Sequence, residues 1–150
     1  MDHPKELKGD NAEISLKRFV DAQKSDYVKA LSEISTGRKI SHWMWYIFPQ
    51  IAGLGFSETS RFYAIGSLAE AAAYLKHPLL GERLIRISKE LLKHSQKDAH
   101  EIFGSPDDLK LKSSMTLFAS VENTDPVFGK ILEQFFEGEK DRKTLKIIGK

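Results

Sequence analysis

The run KISHWMWYIFPQIAGLGFSETS, Lys39 to Ser60, concentrates the chemistry of this chain. It holds both tryptophans, Trp43 and Trp45, with His42, Gln50, the Gly53-Leu54-Gly55 step and the hydroxyls of Ser57 and Ser60. Indole and imidazole rings bring polar atoms that a core built only for packing would avoid. Flat rings can stack a flat ligand, and an amide such as Gln50 can read donors and acceptors along its edge. Glycines let backbone N–H groups approach closely. The competing account is a helix over residues 42–48 that is apolar on nearly every side and is therefore buried all round. For most of these side chains taken singly, core packing is the simpler reading.

Three further groups carry chemistry. In DLKLKSSMTLF, helical spacing puts Leu111, Met115 and Phe118 on a core stripe and Asp107, Lys110 and Ser114 on a polar flank. Ser113 and Thr116 add hydroxyls. A Lys-plus-hydroxyl flank suits an anion, whereas small residues at a close helix crossing need no ligand at all. In YLKHPLLGERL, His77 stands at a helix junction and Arg83 lies near a positive helix start, a placement that suits phosphate or carboxylate. Pairing of Arg83 with a nearby acid is the plainer expectation. Asp141, with Thr144 three residues on, has the spacing of a helix cap and gains interest only if folding carries it toward His42 or the Gln50 rim.

The usual catalytic templates are missing. No His-x-x-x-His or His-Glu-x-x-His spacing suggests a metal, and no G-x-S-x-G elbow or phosphate loop occurs. No metal site and no cofactor are therefore expected. The absence of cysteine excludes disulfides, thiolate ligands and a cysteine nucleophile. Any general acid or base would come from His42, Asp107 or Asp141.

Charge and hydropathy bound the partners. With 23 basic and 21 acidic residues the net charge is +2, a balance that argues against nucleic acid. No apolar run approaches the ~20 residues that span a bilayer. The polar N-terminus lacks the character of a secretory leader, so a cytoplasmic protein, monomeric or weakly dimeric, is expected.

These residues have to be positioned by helices. Residues 1–14 read as a polar tail and 15–150 as a single domain. Apolar spacing is helical almost throughout, with no alternating strand. One bent helix or two short ones are expected over 15–36, stopped at Gly37. Ser41 is expected to cap the aromatic segment, which Pro49 ends. The sequence SLAE marks a capping box, and its helix ends at His77, which would cap the carbonyls before it. A longer helix follows on the stripe Leu80, Leu84, Ile87 and Leu91. SPDD predicts another capping box, DPVFGKILEQFFEG a helix stopped by Gly138, and Asp141 caps the last. The fold class is all-α, with about seven or eight short helices.

The segments HWMWYIFPQIAGLGFSETS, AAYLKHPLLGERL, KSSMTLF and DRKTL, in that order, resemble the signature of the domain-of-unknown-function 1810 family, small multihelical bacterial proteins. The resemblance spans roughly residues 15 to 148 and departs only at Tyr46, where the family pattern often has Phe. It implies an all-helical single-domain fold and carries no activity.

The functional expectation follows from the residues. A pocket lined by His42, Trp43, Trp45, Gln50, Gly53, Gly55, Ser57, Lys110, Ser113 and Ser114, with Arg83 as a further cation, would bind a small flat anionic ligand. A nucleotide or an ADP-ribose-type molecule has that character, and hydrolysis of it is an open extension. The alternative is a protein–protein interaction module in which the aromatic segment is only core.

Overall fold

The computed structural model describes the backbone of residues 9–150 and the side chains from Leu16 onward. Among them are nine helices and no strand: α1 (Gly9–Thr36), α2 (Met44–Ile47), α3 (Glu58–Phe62), α4 (Leu68–Lys76), α5 (Leu80–Leu92), α6 (Ala99–Phe103), α7 (Asp107–Ala119), α8 (Val127–Phe136) and α9 (Arg142–Ile148). The fold is all-α. Residues 1–8 of the expected tail lie outside the described residues, and α1 already runs from Gly9, without a break, to Thr36.

The centre of the molecule is α7. Its residues Ser113 to Phe118 are all buried, so solvent touches almost no side of it there. It packs against α4, α6, α8 and α9, while α5 packs against α1, α4 and α8. A file of rings crosses this core: Phe19 meets Tyr74 at 5.2 Å, Tyr74 meets Phe118 at 5.4 Å, and Phe118 meets Phe128 at 5.7 Å. The stripe Leu80, Leu84, Ile87 and Leu91 is buried as its spacing requires. At the α4–α5 joint the chains press close. A Cβ on Gly81 would lie 2.0 Å from the Leu75 carbonyl oxygen, so only glycine fits.

The aromatic segment departs from expectation. It is not a short central helix over 42–48 but the single turn α2, and Ser41 does not cap it. The Ser41 hydroxyl donates instead to Glu33 on α1, at 2.7 Å. A partner from another element has taken the cap residue, and the turn is held from outside. His77 serves both sides of its joint. Its backbone N–H caps the end of α4 as expected, donating to Ala73 O at 3.0 Å and Tyr74 O at 3.2 Å, while its Nδ1 accepts from the amides of Leu79 and Leu80, at 3.1 and 3.2 Å, at the start of α5. The box expected at SPDD is absent, with Pro106 at the cap position and no side-chain bond. SLAE is half a box: Ser67 accepts from Glu70 N, but the Glu70 carboxylate accepts from Gly66 N and is bound by Arg18. A complete capping box stands at Asp98 and Glu101 of α6.

A short parallel bridge, Ile51 to Ile65, ties the segment after α2 to the strandless stretch after α3. Ala52 N donates to Ile65 O, and Ile65 N to Gln50 O, both at 2.8 Å. This clasp fixes the glycine-containing loop beside the N-terminal half of α7.

Candidate functional site

Trp43 and Trp45 leave the α2 turn in different directions, two residues apart on 100° spacing. Trp43 is fully enclosed, and its Nε1–H donates to Glu33 Oε1 at 2.9 Å. Its expected place in a binding site is thereby corrected: the indole is a structural anchor. Trp45 is only partly buried and forms part of a groove of about 530 Å³. The groove runs between the loop Gln50–Ser57 on one side and the starts of α7 and α9 on the other.

Folding collects several of the expected residues there. Trp45, Gln50, Gly55, Ser57, Lys110 and Ser113 line the groove, and Asp141 joins them from the cap of α9. Gly53 lines an adjoining smaller chamber. Besides Trp43, four expected positions lie elsewhere. His42 is exposed away from the groove. Asp107 has its carboxylate between two lysines, outside the groove lining. Ser114 is fully buried, and its hydroxyl has no partner among the described residues. Arg83 stacks over Tyr27 at 4.9 Å and reaches Gln23 at 3.4 Å, within a buried network of α1, α4 and α5.

The electrostatics of the groove follow from an unequal pairing. Lys39 and Lys110 share Asp107, at 2.9 and 3.5 Å. One carboxylate thus serves two ammonium groups. Lys110 Nζ also lies 5.1 Å from the Trp45 ring centre, a cation–π approach at the groove floor. Lys143 lines the opposite wall and pairs with no carboxylate among the described residues. Asp141 supplies the only acid of the lining. Its Oδ2 is already engaged, accepting from Thr144 N at 3.0 Å and from the Thr144 hydroxyl at 2.6 Å. Its backbone N–H donates to Thr116 Oγ1 of α7, at 2.9 Å. Ser113 Oγ donates back to Leu109 O at 3.2 Å, as serines within helices commonly do.

One carboxylate positions the whole turn. Glu33 Oε1 accepts from Ile40 N, Ser41 N and Trp43 Nε1, and Oε2 from the Ser41 hydroxyl. Partial burial pushes this carboxyl up, but the bonds it accepts outweigh that and hold it at about 2. Tyr46 reinforces the turn. Its hydroxyl bonds to Asp26 on α1, and burial together with that bond pushes the phenol upward. Sequence reasoning singled out neither Glu33 nor Arg61 of α3, and it met Lys143 only as one of the basic residues of the C-terminal run. Glu33 offered no signal except its position one turn before Gly37. The two cations differ from other surface cations only in where the fold sets them.

Residues 13–148 match the family described as "Protein of unknown function (DUF1810)". The chain belongs to the DUF1810 family. A conserved hypothetical protein from Mycobacterium tuberculosis, known from its crystal structure, shares this DUF1810 architecture with a TM-score of 0.88. The two are 45% identical, over 90% of this chain and 96% of that one. No curated protein matches. Among the described residues no helix is long and apolar enough to cross a membrane, and no group of three or more His, Asp or Glu side chains could hold a metal ion.

Proposed function

We propose that this DUF1810 protein is a cytoplasmic binding protein for a small, flat, partly anionic ligand of nucleotide or ADP-ribose type. The ligand would lie in the groove floored by Trp45. The observation that carries the reading is the convergence of a partly exposed indole with lysines that are only partly compensated by acid. Lys110 sits over Trp45 from α7, and Lys143 faces it from α9 without an acid partner among the described residues. A ring would stack on Trp45 and Phe56, Gln50 would read its edge, and the lysines would hold phosphate. Of the three candidate acids and bases only Asp141 lines the groove. A hydrolytic step, if the protein has one, would therefore draw on Asp141 to activate water.

Titration with ADP, read by tryptophan emission, tests this. Saturable quenching is expected, and Lys110→Ala should weaken binding about tenfold, the usual cost of losing one charge-assisted hydrogen bond. Neither ADP nor ADP-ribose changing the emission or the melting temperature would discard the reading.

One observation favours the second reading, a protein-docking surface. Phe56 is 79% and Leu109 60% exposed, and both stand at the groove. Exposed apolar side chains at one site suit a partner surface as well as a ligand. Loss of a binding partner on Phe56→Ser and Leu109→Ser, with ADP titration silent, would favour it.

A further inference from the structure

The groove does not end at its own walls. A second chamber of about 100 Å³ adjoins it and shares Trp45, Gln50, Gly55 and Ser60 with it. Its remaining lining comes mainly from Ile51, Ala52, Tyr63 and Ala64, and from Arg61 of α3. The chamber has room for a handful of waters or one compact polar group, but not for a nucleoside. Its walls are fixed. The Ile51–Ile65 bridge holds one side, and Ser57 caps α3 by accepting from Ser60 N at 3.1 Å. The neck depends on a bare backbone, because a Cβ on Gly55 would lie 2.5 Å from Ser60 Oγ.

Arg61 is the single charge of this chamber. No carboxylate lines it, and among the described residues the Arg61 guanidinium makes no hydrogen bond or ion pair. A guanidinium carries five donors in a planar fork that matches phosphate and carboxylate oxygens. Among the described residues the whole fork is uncommitted, on a side chain that lines a space of the size of one such group. In the main groove the aromatic Trp45 and Phe56 stand with two lysines. The division of labour is therefore by size and by charge.

On the binding reading given above, we propose that the smaller chamber is a subsite for the terminal anionic group of the ligand, recognised by Arg61. The ligand is then bipartite. Its ring lies on Trp45, an inner phosphate meets Lys110 and Lys143, and a terminal phosphate passes the Gly55 neck to Arg61. A nucleoside diphosphate has this form; a nucleoside monophosphate lacks the last part.

The experiment compares AMP with ADP on the wild-type protein and on Arg61→Ala and Arg61→Lys, reading Trp45 emission. The Arg61 side chain is exposed and makes no hydrogen bond or ion pair among the described residues, so its replacement should leave folding intact. The wild-type protein should bind ADP at least about tenfold tighter than AMP. Arg61→Ala should abolish that preference while leaving AMP within about twofold, and Arg61→Lys should restore part of it. A wild-type protein that binds both nucleotides alike overturns the subsite, as does an Arg61→Ala protein that weakens both equally. Silence of both nucleotides removes the groove reading itself, and the subsite with it.

Discussion

The Glu33 carboxylate receives four hydrogen bonds from residues 40 to 43, and one of them satisfies the buried Trp43 indole. Without it, two backbone amides, a hydroxyl and an indole N–H would lose their acceptor together. Glu33→Ala should therefore cost at least about 1–3 kcal/mol, measured by urea unfolding, since an orphaned buried donor alone has that cost. The pH dependence has a definite sign. The folded value of about 2 lies below the ordinary 4.5, so this stabilisation is complete above pH 4.5. It fades as the pH falls from 4.5 through 2. Stability followed over that window should decline in the wild-type protein and decline less in Glu33→Gln. An identical slope in both would show that the loop does not depend on this charge. At this scale the sequence was only half legible. The types of Trp45, Gln50, Lys110 and Ser113 indicated chemistry, but Ser113 and Ser114 differ by one step of 100° around α7, and that step separates groove from core.

Among the elements, helices were legible where a stop and an apolar stripe fell together. Residues 68–76, 80–92 and 142–148 show this, the last with Asp141 as its cap. They were illegible where a cap residue served another element. Ser41 bonds to α1, and His77 turns forward onto α5. Local spacing holds no record of such distant partners. The α4–α5 joint allows an element-scale test. Gly81→Ala would drive a methyl group to 2.0 Å from the Leu75 carbonyl, and backbone cannot yield as a flexible side chain does. The two helices must separate, at a cost of about 1–3 kcal/mol typical of overpacking, visible as a lower urea midpoint. An unchanged midpoint would mean that the joint is looser than its geometry indicates.

For the molecule as a whole, the all-α class and the single central core followed from helical periodicity, while the choice of central helix did not. The aromatic run looked the more buried, yet α7, carrying three hydroxyl residues in a row of six buried positions, occupies the centre. Ser113 and Thr116 return their hydroxyls to the carbonyls one turn back, and Ser114 is enclosed without a partner among the described residues, an arrangement that composition alone hides. The separation of the two tryptophans gives a global check. Acrylamide should quench Trp45 and spare Trp43, so Trp45→Phe should remove most of the quenchable emission. Equal quenching of the emission left by Trp43 would contradict its enclosure.

Asp107 gives the groove a consequence at a distance. Its carboxylate is the common tether of Lys39, whose ammonium lies 4.9 Å from the Trp43 ring centre, and of Lys110, whose ammonium faces the groove. An incoming phosphate that drew Lys110 toward itself would leave Asp107 wholly to Lys39. Occupancy of the cleft and the grip on the 37–43 segment would then be thermodynamically linked, each strengthening the other by the same free energy.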